Sequence, residues 1–438
     1  MKEEELDIHN YEGRFETYKK QLDELSSKNK QLLLEWDEYC FVKEDLSLPR
    51  RCKLMNTMYN VVVQYLKKDL DRATLKDVNE VVKKIKSRGD YSLWTIQSYS
   101  AILKKFFRWL KLLRGNEEKS IGRNEYPSIC KWIPTTIKKK DKPKVKPQDI
   151  LTEDEISKMI ETSDHPRTKA LVFMLYELGA RISEIGNLRI KNLTKTDCSY
   201  LVDLKGRTGQ RTPEIILSVP SVQEWLDVHP LSDKIKKGEN PPLWVCIEGN
   251  RIGEHMDYGS IRMLIKRLAK RCGIKKRVWN HLFRFSRVTH VLVNDVLREP
   301  QAKKYFGWVP SSSQLDTYSQ LTLKDANDSY KKSLGLIKDD DKKNGKRFNP
   351  KKCEICGKDN SYKDIYCNKC HNPLDMVTAQ RDALKRQEEK EKEVKSVREE
   401  LKDIRKDLEK FFEKRIEERE QYWYEKLKDE MKAKFMEK

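Results

Sequence analysis

The chain has 438 residues, 37% of them charged, with a formal net charge of +21 and a pI of about 9.3. That length allows two or three domains and a core deep enough to hold reacting groups away from water, while the charge favours a polyanionic partner, nucleic acid first. No apolar run approaches the roughly 18 residues of a membrane-spanning helix, and the acidic start MKEEELDIHNYEG lacks the basic and apolar regions of a secretion signal, so a cytoplasmic protein without membrane contact is expected.

Residues 8–115 repeat apolar positions at three and four, as in NVVVQYLKKDL and TIQSYSAILKKFFRWLKLL, and predict a small helical bundle. Its last helix carries Lys104, Lys105, Arg108, Lys111 and Arg114 beside Phe106, Phe107 and Trp109, a basic face that either lies on phosphates or is merely solvated. Residues 116–149 lose the pattern and end in TTIKKKDKPKVKPQD, with six lysines and two prolines, which predicts an extended basic linker that packs no core.

A compact domain over 150–335 opens with a capping signal, Thr152 followed by Glu155. ALVFMLYELGA reads as a core helix, and YLVDLKGRTGQRTPEIIL as a β-hairpin turning at Gly206 to Gln210. Beyond a charged gap come paired cysteines at 350–375 and a highly charged helix over 378–438.

Several residues of the compact domain suggest a site, although each alone has a plainer reading. Arg181 follows Gly179, a plausible helix cap, and so starts a new helix whose free N–H groups favour an anion; singly, it is a surface ion-pair partner. His281 and Arg284 lie one turn apart in HLFRFSRVTH, a helix apolar around its circumference, with Asn280 as its N-cap. A guanidinium buried there must meet an anion, either a ligand or an internal carboxylate. Trp308 and Tyr318, ten residues apart in YFGWVPSSSQLDTYSQL, would ordinarily be core.

Taken in order, ELGARISEIGNL, a basic hairpin, HLFR, FGW and LDTYSQL resemble the tyrosine recombinase (phage integrase) family, and YFGWVPSS and EWLDVHPLSD are closest to archaeal integrases of the XerC/XerD-like group. The resemblance implies a mainly α fold: a helical, SAM-like core-binding domain at 8–115, then an α+β catalytic domain with a small β-sheet. It further implies a site-specific recombinase of a mobile element, acting at the nucleoid on double-stranded DNA as a homo-oligomer, a tetramer across two sites.

On that resemblance Tyr318 is the nucleophile that forms a 3′-phosphotyrosine, which stores the bond energy so that strands rejoin without ATP. Arg181 and Arg284 would clamp the non-bridging oxygens, His281 would share the tyrosine proton, and Trp308 would offer its indole N–H. No acidic metal cluster is visible, so no catalytic metal is expected. The hairpin departs from the family: Arg207 stands where the proton-donating lysine is usual, with Lys205 two residues earlier. Arginine donates protons poorly, which favours Lys205 as the general acid. The rival readings are a topoisomerase of type IB chemistry and a DNA-binding protein on the same fold that has lost activity.

Cys353, Cys356, Cys367 and Cys370 form two CxxC knuckles ten residues apart, the spacing of a zinc ribbon holding a structural Zn²⁺. Cys40, Cys52, Cys130, Cys198, Cys246 and Cys272 are scattered singly and read as reduced thiols. From Val394 the apolar positions Val397, Leu401, Ile404, Leu408 and Phe411 alternate at three and four, a heptad seam that predicts a long helix or coiled coil.

Overall fold

The computed structural model describes residues 6–115, 121–196, 199–206, 209–334, 348 and 350–436, and the chain divides into two units, Met1–Arg347 and Phe348–Lys438. The first unit begins with helices α1 (Tyr11–Gln21), α2 (Ser27–Val42), α3 (Leu48–Asn60), α4 (Leu75–Ser87) and α5 (Leu93–Arg108). Their starts are written locally: the side chains of Ser26 and Ser92 accept the N–H groups of Asn29 and Thr95, and Thr74 and Asp77 cap reciprocally. Trp36, Met58, Val81, Phe106 and Phe107 are buried in one apolar cluster.

The basic face of α5 is engaged within the protein. Lys104 donates to the carbonyls of Lys131 and Ile133, Arg108 to those of Gly122 and Glu125, and Lys105 pairs with Glu44. The bonds of Lys104 and Arg108 fasten the stretch expected to be an extended linker. Short helix α6 (Ser128–Lys131) forms there, and Ile129, Cys130 and Ile133 are buried in the bundle core. Three apolar side chains in six residues outweigh the surrounding charge, so this part of the segment packs.

The compact domain follows with α7 (Glu153–Glu161), α8 (Pro166–Leu178) and α9 (Ile182–Gly186). Thr152 and Glu155 form the expected capping box. Every residue of α8 from Ala170 to Leu178 is buried, Gly179 ends it in the left-handed region (φ 49°), and a Cβ at Gly179 would lie 2.7 Å from the Phe306 ring.

Strands β1 (Leu193–Lys195), β2 (Tyr200–Val202), β3 (Leu204–Gly206), β4 (Gly209–Arg211) and β5 (Glu214–Ile215) are all short. The single expected hairpin divides into two antiparallel ladders: β2 pairs with β1 and β5, and β3 with β4 in the register Leu204↔Arg211, Gly206↔Gly209. The break has a local cause. Pro213 has no N–H to donate, and Asp203 accepts a bond from the Thr212 hydroxyl at 2.7 Å.

Helices α10 (Val219–Asp227), α11 (Ser232–Lys236), α12 (Tyr258–Arg271), α13 (Leu282–Val293), α14 (Glu299–Tyr305), α15 (Gln314–Tyr318) and α16 (Leu323–Ser333) complete the unit. The segment before α1 also contributes. Ile8 is 1% exposed, its N–H donates to Asn187 Oδ1 (3.0 Å), and its carbonyl accepts the Tyr258 N–H (2.8 Å).

In the second unit β6 (Lys351–Lys352) pairs antiparallel with β7 (Asp359–Asn360), and α17 (Met376–Met436) runs 61 residues. No helix among the described residues is long and apolar enough to cross a membrane.

Candidate active site

The start of α13 differs from the sequence expectation in one respect. Asn280 does not cap the helix: His281 holds the cap position, and the Asn280 side chain is buried with no hydrogen-bond partner among the described residues. Arg284 therefore lies at the third residue of the helix, and its backbone N–H donates to the His281 carbonyl (3.2 Å).

Arg284 is fully buried, and its partners are neutral. Nη1 donates to the Gly179 carbonyl (2.8 Å) and Nη2 to the Phe306 carbonyl (2.7 Å), while Nε has no acceptor among the described residues. No carboxylate among these residues takes the charge directly. Burial, then the nearby Arg181 guanidinium, pushes the Arg284 pKa down to about 10, which still leaves it protonated at neutral pH. The guanidinium carbon lies 4.7 Å from the Trp308 ring centre and 5.2 Å from that of Tyr318.

Two aromatic side chains from beyond α14 complete the pocket. Tyr318 ends the five-residue helix α15 and reaches His281, with its hydroxyl 2.7 Å from Nε2. Its ring stacks on Trp308 (centroids 5.3 Å, 28° between planes) and lies 4.7 Å from Phe285. Trp308 is 7% exposed, and its indole N–H has no acceptor. Burial, then Arg284 and Arg181, pushes the His281 pKa down to about 4, so the imidazole is neutral at physiological pH, and in the tautomer that leaves Nε2 bare it accepts a hydrogen bond from the phenol.

Arg181 stands at the cap of α9, as expected from the glycine before it, and is half-buried. Its backbone N–H and Nη1 both donate to Glu184, at 3.0 and 2.7 Å. Glu184 also accepts from Arg211 of β4 at 3.2 Å, and Arg211 bonds the Tyr305 carbonyl. Burial alone would raise the Glu184 pKa, but Arg211 and the Arg181 donors outweigh it and hold the carboxyl below its usual value.

Neither Glu184 nor Arg211 was singled out from the sequence. The available signal was the spacing of three between Arg181 and Glu184. A second lay in Gly206, where a Cβ would stand 2.5 Å from Glu184 Oε1, so the hairpin passes over this carboxylate only as glycine.

Lys205 is not brought into the pocket. It lies on β3 opposite Gln210, exposed, with no hydrogen bond or ion pair among the described residues. Arg207, the alternative at that turn, lies outside the described residues, as does Cys198. The set brought together is thus Arg181, His281, Arg284, Trp308 and Tyr318, with Lys205 outside it on a two-stranded ladder.

In the second unit the four thiols of Cys353, Cys356, Cys367 and Cys370 lie within 4.8 Å of one another. The Lys369 N–H and the Asn372 side-chain amide donate to the sulfurs of Cys367 and Cys370 (3.4 and 3.2 Å). Such donors favour thiolates, so the donor set suits a tetrahedral Zn²⁺ site. Cys40, Cys52, Cys130, Cys246 and Cys272 are all unpaired thiols.

Comparison with known proteins bears on the compact domain that carries these residues. Residues 149–324 match the profile of the phage integrase family. A tyrosine recombinase of Thermosipho africanus is 29% identical over 237 residues, covering 52% of this chain and 74% of that one. Tyrosine recombinase XerA of Pyrococcus horikoshii is 26% identical over 254 residues, covering 57% and 78% respectively. The fold is similar to that of the XerH site-specific recombinase bound to a palindromic difH substrate in a post-cleavage complex, with a TM-score of 0.50 at 16% identity over 75% of this chain and 90% of that one. The profile, the homologues and the fold agree that residues 149–324 form a phage integrase domain, in a chain similar to tyrosine recombinases.

Proposed function

We propose that the protein cuts and rejoins double-stranded DNA through Tyr318, passing through a 3′-phosphotyrosine intermediate without metal or ATP. The phenolate oxygen attacks the scissile phosphorus and the bond to the 5′-oxygen breaks; a 5′-hydroxyl released from another strand later attacks the same phosphorus, breaks its bond to Tyr318 and so completes the exchange. His281, neutral and already bonded to the phenol, takes its proton. Arg181 and Arg284 hold the non-bridging oxygens, the indole N–H of Trp308 adds a third donor, and Lys205 protonates the leaving 5′-oxygen.

One observation carries this reading: beside the His281–Tyr318 bond lie two buried donors, Arg284 Nε and Trp308 Nε1, with no acceptor among the described residues. Each such donor costs roughly 1–3 kcal/mol unless a ligand supplies an oxygen, and the guanidinium beside them carries a full charge. A phosphate diester answers both needs.

The reaction requires paired sites, so the working form on DNA is a homo-oligomer, a tetramer spanning two duplexes, in the cytoplasm at the nucleoid. Cys353, Cys356, Cys367 and Cys370 would hold a structural Zn²⁺, which supplies the cross-link that a segment this small needs to fold. The test is recovery of DNA fragments left covalently attached to protein after nuclease digestion, followed by sequencing. Fragments with a phosphotyrosine at residue 318 that vanish in Tyr318→Phe are expected. No adduct from the wild-type chain, with duplex binding intact, would instead favour a DNA-binding protein that has lost its chemistry.

A further inference from the structure

Helix α17 carries a seam whose surroundings specify a partner. Val394, Val397, Leu401, Ile404, Leu408 and Phe411 fall at alternate spacings of three and four and are between 49% and 59% exposed. A row of six large apolar side chains in 18 residues of an otherwise charged helix is stable in water only when covered.

Setting Val394, Leu401 and Leu408 at heptad position a puts Val397, Ile404 and Phe411 at d. The flanking positions are then sorted by sign. Position g holds Glu393, Glu400 and Asp407, and position e holds Arg398 and Arg405.

This sorting decides between orientations. In a parallel pair, each g residue meets the e residue of the next heptad on the other helix, which joins Glu393 to the partner copy's residue 398 and Glu400 to its residue 405, in both directions. In an antiparallel pair, g faces g and e faces e, which sets acid against acid and arginine against arginine. A different protein would need its own complementary sorting, whereas a second copy of this chain already has it.

We propose that α17 binds a second copy of this chain in a parallel, in-register coiled coil over residues 394–411. The inference stands apart from the recombinase reading, because it uses no residue of the catalytic pocket. Leu401 at a with Ile404 at d also suits more than two strands, and the same g-to-e pairing then recurs between neighbours.

The test is sedimentation equilibrium of the full chain without DNA, at moderate salt. The wild-type chain is expected to show a concentration-dependent mass of two or more copies. Glu400→Arg alone and Arg405→Glu alone each turn two attractions per dimer into repulsions and should weaken association by about tenfold. An equimolar mixture of the two variants restores both attractions and should recover wild-type affinity, which also shows that each variant is folded. A chain that stays monomeric up to about 100 µM, a Glu400→Arg variant that associates more tightly, or a mixture that is no stronger than its components would each overturn the proposal.

Discussion

Arg284 and Lys205 carry the same formal charge and are both assigned to one reaction, yet the protein treats them oppositely. Arg284 is fully buried on a 12-residue helix and fixed by two carbonyls, whereas Lys205 is exposed on a three-residue strand with no bond among the described residues. On the proposed mechanism the two groups would do different things. A charge clamp gains from dryness and fixed direction, since its interaction with phosphate strengthens as water is excluded. A proton donor must instead reach an oxygen that arrives only with the DNA.

The sharpest way to break this contrast is at Arg284. Arg284→Ala strands two buried carbonyls and opens a cavity, and should destabilise the fold by about 3–5 kcal/mol while abolishing covalent capture of DNA. Arg284→Lys keeps the charge but loses the fork, and should retain most of the stability while capture falls by roughly a hundredfold. Urea unfolding alongside adduct yield separates the two effects, and full capture by Arg284→Lys would remove the bidentate clamp from the mechanism.

Lys205→Ala should do the reverse, leaving stability within about 0.5 kcal/mol of wild type while cleavage slows by about a hundredfold or more. A substrate whose bridging 5′-oxygen is replaced by sulfur needs no proton on departure and should restore the rate. Slow cleavage of both substrates would move the donor elsewhere, Arg207 included.

The buried side of the comparison also predicts a pH response. Burial holds His281 and His290 at pKa values of about 4 against 6.5 when unfolded, so the unfolded chain binds more protons between those limits. Their contribution is complete above pH 6.5 and is lost as the pH falls towards 4, by up to about 3 kcal/mol for each histidine. His281→Asn should flatten the stability profile in that window, and an unchanged slope would mean that the imidazole is not desolvated. The smallest effect on catalysis is expected in the second unit: Cys367→Ser should abolish zinc uptake, read by metal analysis, and change adduct formation by less than about threefold.

Much of this was legible in the sequence because its causes are local. The capping box at Thr152, the glycine that ends α8 and sets Arg181 at a new helix start, and the apolar surroundings of Arg284 each follow from a few adjacent residues. What was hidden depends on contacts across the chain. A spacing of three makes Glu184 read as a cap for Arg181, which conceals that the same carboxylate also holds Arg211, 27 residues away. The split hairpin required weighing Pro213 against a regular alternation, and the approach of Tyr318 to His281, 37 residues apart, has no counterpart in any period. Only a resemblance could connect them beforehand.

The carbonyls that grip Arg284 have one more consequence. A peptide oxygen restrains a guanidinium by direction without cancelling its field, as a carboxylate would, so the ligand-free pocket carries an electrostatic deficit stored in an ordered frame. Inorganic anions at modest concentration should therefore raise the melting temperature of the first unit before any nucleic acid is present, as the proposed phosphate clamp requires.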